Sequence, residues 1–153
     1  MAGFKGHLRG GIVCAVIATG MAIVYDIGGN AVSAAFVASG GAIVGSLLPD
    51  IDHPQSFLGR RLKWLSKPIN RLWGHRSITH SLILIGGMMS ILTFMSQEAM
   101  AFGLGVGMLG HVIIDLCCRG AGVAFLYPFY PKRIQLLESK KYRKWKRKLR
   151  KIF

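Results

Sequence analysis

Acidic side chains are scarce in this chain: six Asp and Glu stand against twenty Lys and Arg, a formal net charge of +14 over 153 residues. Such an excess of one sign points to anionic partners, a membrane surface or a nucleic acid. Cysteine is nearly absent too. Cys14, Cys117 and Cys118 are an odd, badly spaced set that excludes a disulfide framework and reads as buried thiols. Also missing are a Gly-x-Ser-x-Gly elbow, a Gly-Lys-Ser/Thr phosphate loop and a dinucleotide fingerprint, which removes serine hydrolases, P-loop nucleotidases and dehydrogenases.

What is abundant is apolar sequence, 52% of the chain, and it is segregated from the charge. Four stretches, Gly11 to Ile27, Ala31 to Leu48, Ser81 to Met95 and Ala99 to Leu116, lack Lys, Arg and Glu in their interiors. At ~1.5 Å per residue each reaches about 25 Å, close to the ~30 Å of a bilayer core. The expected fold is all-α: an integral membrane bundle of about four short transmembrane helices, with a basic interfacial loop and a basic amphipathic C-terminal helix. Its domains would be a membrane-embedded unit, 1–130, and a basic tail, 131–153. A soluble helical bundle is the alternative. Gly41 to Gly45 and Gly103 to Gly107 have the GxxxG spacing that lets helices approach closely in lipid. Lys5 and Arg9 before an apolar run resemble a signal peptide, but the first stretch is read as a retained helix.

All five histidines and three of the six acidic residues lie in polar islands at the ends of these stretches: His7, Asp50, Asp52, His53, His75, His80, His111 and Asp115. Four crossings bring every one of them to the same face. The same bookkeeping puts all twenty Lys and Arg on that face, which the positive-inside rule makes cytoplasmic. The expected location is therefore a bacterial inner membrane, multi-pass, with the site and both termini in the cytoplasm.

These eight residues are the candidate metal ligands. An extended Pro49-Asp50-Ile51-Asp52-His53-Pro54 would aim Asp50 and Asp52 the same way, so that they share a cation. A solvated Asp-Pro turn is the bland alternative. His111 and Asp115 are four apart on one helix face. In Gly74 to Ser81, His75 stands in a loop and His80 on the first helical turn, Ser77 or Thr79 could cap the helix, and Arg76 could clamp a substrate phosphate at the helix N-terminus. Mixed His and carboxylate ligands suit zinc, with manganese or iron as alternatives, and one or two ions would be accommodated. Asp50, Asp52 or Asp115 could instead serve as general base.

Gly45-Ser-Leu-Leu-Pro-Asp-Ile-Asp-His53, His75-Arg-Ser-Ile-Thr-His-Ser81, Gly110-His-Val-Ile-Ile-Asp115 and Leu126-Tyr-Pro-Phe129, in this order, resemble the LexA-regulated, YdjM-like family of bacterial inner-membrane proteins inferred to be metal-dependent hydrolases. The resemblance spans roughly residues 5 to 133. It implies a distant similarity to zinc-dependent phospholipase C and P1-type nucleases, hence a phosphoesterase in which His7, the Asp50/Asp52 island, the His75/His80 island and His111 with Asp115 match family positions. The chain lacks a second helical His-x3-Glu, which favours one or two metals over three.

From Pro131 to Phe153 the basic sequence carries Tyr142, Trp145, Leu149 and Ile152 at helical intervals, suited to an anionic leaflet. Nucleic acid is the alternative partner. Between Gly59 and Trp73 a second basic, amphipathic segment reads as an interfacial helix interrupted at Pro68. Together these expectations describe a membrane-embedded metal hydrolase acting on a phospholipid or lipid-linked phosphate. The rivals are a membrane-associated nuclease and a non-catalytic adaptor stapled by a structural metal.

Overall fold

The computed structural model describes residues 4–27, 29–117 and 122–136. Six helices follow in order: α1 (Phe4–Val24), α2 (Ala31–Leu47), α3 (Phe57–Arg61), α4 (Lys63–Trp73), α5 (Leu82–Phe94) and α6 (Glu98–Cys117). Short 3-10 turns, Pro49–Asp52 and Ile78–His80, precede α3 and α5. The fold is all-helical, a membrane bundle as the apolar runs imply. α1, α2 with its following turn, and α6 are long and apolar enough to cross a bilayer. The fourth expected helix is α5, the shorter apolar one, with 13 residues and about 20 Å of length, lying beside α6.

Polar caps set where helices begin. Asn30 accepts a hydrogen bond from the Ser33 N–H at 3.1 Å to open α2, and Ser81 accepts from the Leu84 N–H at 3.2 Å to open α5. Ser81 thus takes the capping role expected of Ser77 or Thr79, which frees Thr79 for the site.

The bundle is joined by small residues. α2 and α6 lie so close that a Cβ on Gly103 would overlap the backbone of Ala38, one on Gly107 that of Ala42, and one on Gly45 that of Leu104. Without a hydrophobic drive between helices in lipid, such backbone contact supplies the packing. α1 completes the trio, with Cys14, Ala15, Ala18 and Ala22 clustered against Ala38 and Ala42. A second cluster, Ile85, Leu104, Met108, Val112, Leu116 and Val123, joins α5 and residues 122–136 to α6. The outward faces carry Ile12, Val13, Val16, Phe36, Val44, Ile83, Ile91 and Ile113, all exposed, as lipid-facing positions should be.

Two local expectations give way. The stretch after α2 is not extended: Leu48 keeps helical angles (φ −65°, ψ −40°) and the chain tightens into the 3-10 turn. At three residues per turn, positions two apart diverge rather than align, so Asp50 and Asp52 point to different neighbours. In the basic loop, Pro68 sits inside a continuous α4, and the break falls at Leu62, whose φ of −111° and ψ of 49° leave the helical region. Residues 131–136 pack on the bundle: Val123 and Ile134 exchange backbone hydrogen bonds at 2.9 and 3.0 Å, and the Leu136 N–H reaches the Leu116 carbonyl. The remainder of the expected tail helix, 137–153, lies outside the described residues.

The α2–α6 contact yields a direct test. Gly107→Leu should cost about 3 kcal/mol, since backbone cannot yield as a side chain can, and lower Tm in detergent by about 6–12 °C. Gly86→Leu, where an added Cβ meets open space, should leave Tm nearly unchanged; equal effects would refute the packing account.

Candidate metal centre

Four segments converge at one end of the bundle. α1 supplies His7, the turn after α2 supplies Asp50 and Asp52, the segment before α5 supplies His75, Arg76, Thr79 and His80, and α6 supplies His111 and Asp115. His7, Asp52, His80, His111 and Asp115 are all buried, at 1% exposure or less. Donor atoms of Asp50, His80, His111 and Asp115 lie within 4.8 Å of one another, and so do those of Asp50, Asp52 and His75. Asp50 belongs to both sets.

Asp115 is the hub. Its Oδ1 accepts a hydrogen bond from Arg76 Nη2 at 2.8 Å and lies 3.6 Å from His7 Nε2. Its Oδ2 faces His80 Nε2 at 3.5 Å and His111 Nε2 at 3.7 Å, while His111 Nε2 is 3.6 Å from Asp50 Oδ1. Among the described residues, Asp115 Oδ2, His80 Nε2 and His111 Nε2 have no hydrogen-bond partner. Buried polar atoms so left are costly. Ligands held at about 2.0–2.2 Å in a tetrahedron stand about 3.3–3.6 Å apart, and the separations of 3.5 to 3.7 Å among these atoms are close to that spacing.

The outer contacts fix which nitrogen of each histidine faces inward. His111 Nδ1 lies 2.6 Å from the Ser46 carbonyl, which can only accept, so Nδ1 carries the proton and Nε2 presents its lone pair to the cluster. His75 Nδ1 donates likewise to Asp52 Oδ1 at 2.6 Å. His80 is held in two steps: the Thr79 hydroxyl donates to Asp52 Oδ2 and accepts from His80 Nδ1 at 2.9 Å. Burial pushes the His80 imidazole below its ordinary pKa, against the pull of the Asp115 and Asp52 carboxylates, and favours the neutral, ligating form. In all three side chains Nδ1 is committed as a hydrogen-bond donor, which leaves Nε2 with its lone pair.

Asp52 is thus placed behind the histidines. Both of its oxygens accept hydrogen bonds, from His75, from the Arg76 N–H at 2.9 Å and from Thr79. Arg76, expected as a phosphate clamp, is buried and committed to Asp115, although its Nε is without a partner among the described residues. Its φ of +66° is unusual for a residue with a side chain and is held by Asp52 on its N–H and by the Ala124 N–H on its carbonyl. His7 stacks on His111, with ring centroids 3.8 Å apart and planes at 11°. His53 stands apart from both converging sets; its Nδ1 accepts from the Gln55 N–H at 3.3 Å and its ring meets His75 edge-on.

Sequence reasoning missed Thr79 as a site residue, the Ser46 carbonyl, and Arg133, whose Nη2 donates to the His75 carbonyl at 3.1 Å. A hydroxyl adjacent to a candidate ligand was the signal for Thr79. Nothing in the sequence marks the other two.

Helices that face lipid on the outside and enclose a His/carboxylate cluster at one end define the chain as a membrane-embedded helical protein with a constellation that could hold a cation. It belongs to the YdjM inner membrane protein family, whose description matches residues 1–148. Inner membrane protein YdjM of Escherichia coli (strain K12) is 39% identical over 138 residues, covering 81% of this chain and 64% of that protein. YvsG of Bacillus subtilis (strain 168) is 38% identical over 125 residues, covering 81% of this chain and 72% of its own length. The chain thus spans just under two thirds of the length of the E. coli relative. No solved structure matches.

The role of Thr79 can be isolated. Thr79→Val keeps the shape but strips His80 Nδ1 of its acceptor, and should weaken zinc or cobalt binding about 10–100-fold in chelator competition. Thr79→Ser should stay near wild type. Equal affinities for all three would remove Thr79 from the site.

Proposed function

We propose that this protein is a metal-dependent hydrolase of phosphoesters whose site lies at the cytoplasmic face of the inner membrane. The observation that carries the reading is the set of buried, unpartnered donors, His80 Nε2, His111 Nε2 and Asp115 Oδ2, converging with Asp50. Three carboxylates, Asp50, Asp52 and Asp115, meet one guanidinium in the cluster. With neutral histidines this leaves two negative charges, the complement of a divalent cation.

Asp50, His80, His111 and Asp115 would hold one ion, and Asp50 with His75 a second, with zinc expected and manganese or iron as alternatives. Such an ion supplies Lewis acidity and brings a water's pKa down to about 7. The chain's own contribution is positioning. Asp52 and Thr79 orient His75 and His80, and Arg76 offsets the charge of Asp115 so that one carboxylate oxygen stays available. Asp50, half-buried and bordering a cavity with His75 and Arg76, is also the carboxylate best placed to act instead as the base that takes a proton from an attacking water, its place as ligand then falling to the remaining donors. The surplus of Lys and Arg, with the positive-inside rule, supports the cytoplasmic orientation and an anionic substrate.

Elemental mass spectrometry of detergent-purified protein tests this. About one or two zinc, manganese or iron ions per chain are expected, lost in a folded His111→Ala, Asp115→Ala variant, with hydrolysis of bis(4-nitrophenyl) phosphate lost in parallel. Metal without hydrolysis of any phosphoester would leave a structural staple between helix ends, the adaptor reading. A wild type that neither holds nor takes up metal would overturn both.

A further inference from the structure

We propose that α4 is a docking surface for the anionic leaflet at the ligand-bearing end of the bundle, and that its seating there tightens the metal centre, so that anionic lipid acts as an effector of the site. The coupling rests on the metal-centre reading above; the docking stands apart from it.

α4 has three sides. Ser66 is fully buried against the bundle, with Leu65, Ile69 and Asn70 half-buried. Among the exposed residues, Trp64, Pro68 and Leu72 recur every four positions, and so do Lys63, Lys67 and Arg71. At about 3.6 residues per turn each triplet forms one stripe, and the two run side by side along the helix. Trp64 and Leu72 are 73% and 69% exposed, so the bundle does not cover the apolar stripe. Apolar residues flanked by cations suit a helix lying in the interface plane, its apolar side at the acyl boundary and its charges among lipid phosphates. A nucleic acid would meet the basic stripe but leave the apolar one bare to water.

Position agrees with chemistry. The Asn70 side-chain amide donates to the Asp52 carbonyl at 2.8 Å, in the turn where the chain has just left the α2 span. The nearest leaflet is therefore the one at the level of the cluster.

The same end of α4 grips the site. Gly74 closes the helix with its N–H on the Asn70 carbonyl at 2.9 Å, and its φ of +73° turns the chain directly into His75. His75 then donates to Asp52 Oδ1. Asp52 is thus held twice from α4, by its carbonyl through Asn70 and by its carboxylate through His75, and it orients Thr79 and His80 in turn. Ahead of α4, Phe57, Leu58 and Arg60 line the cavity beside the cluster with Asp50 and His53. A helix free to rock on the bundle would move all of these; one pinned by the leaflet holds them in a single arrangement. Metal and anionic lipid then favour the same position of α4, and by linkage each strengthens the binding of the other.

The test uses the full chain in nanodiscs of phosphatidylcholine alone or mixed with phosphatidylglycerol. Zinc affinity is read by chelator competition, and docking by quenching of Trp64 by brominated acyl chains in a Trp73→Phe, Trp145→Phe background that leaves Trp64 as the sole tryptophan. Phosphatidylglycerol should increase the quenching and tighten zinc binding about fivefold or more. Lys63→Gln, Lys67→Gln and Arg71→Gln together should abolish both gains and leave zinc affinity in the neutral discs unchanged, whereas a gain due to zinc gathering at a charged surface would survive them. Unquenched Trp64 in both membranes, equal zinc affinity in both, or a gain that survives the triple variant would each overturn the proposal, as would release of Trp64 from the lipid by a DNA duplex. A wild type that takes up no zinc in either membrane would strike the metal reading and the coupling together, and the quenching of Trp64 would then decide the docking by itself.

Discussion

A carboxylate buried inside a lipid-facing bundle must be compensated, and the architecture at the ligand end follows from that requirement on Asp115. An uncompensated charge in such a place costs several kcal/mol after relaxation. Asp115 is enclosed by groups from two other segments, Arg76 and His80 from the connection before α5 and His7 from α1, besides His111 one turn earlier on α6. Its two oxygens are used differently. The guanidinium takes one as a hydrogen-bond acceptor, and the other is left facing imidazole nitrogens that cannot satisfy it. This asymmetry leaves the cluster with an acceptor that a closed ion-pair network would have filled.

The helix contacts serve the same end. Because α2 and α6 touch through Gly45, Gly103 and Gly107, the last turn of α2 comes within hydrogen-bond distance of α6, and the Ser46 carbonyl can orient His111. A wider helix pair would leave that imidazole free to rotate. The 3-10 turn after α2 then sends Asp50 toward His111 and Asp52 toward His75 and Thr79, dividing two nearby carboxylates between inner and outer positions. Residues 122–136 close the assembly from behind, holding the Arg76 carbonyl through Ala124 and the His75 carbonyl through Arg133. Breaking any of these supports changes the aim of a ligand without removing it.

Apolar run length and the placing of charge were sufficient to read a helical membrane bundle, its small-residue interfaces and the gathering of His and Asp at one end. These are one-dimensional properties: an apolar stretch must be buried or face lipid, and consecutive crossings alternate faces. His80, His111, Asp115 and Asp50 meet as that counting requires. The continuity of α4 through Pro68 and the turn at Pro49 escaped it, because propensity and proline rules are weak beside the packing that surrounds each segment.

By itself, then, the sequence determined which side chains could carry chemistry and at which end of the helices they would collect, since composition and alternation of spans leave little freedom on either point. Only the tertiary structure decided what each does: Asp52 and Thr79 behind the histidines, Arg76 against Asp115, His53 on the cavity wall, Nε2 and not Nδ1 facing inward. Those assignments depend on the angle at which one backbone passes another and on which lone pair is already occupied, quantities set by contacts between segments dozens of residues apart.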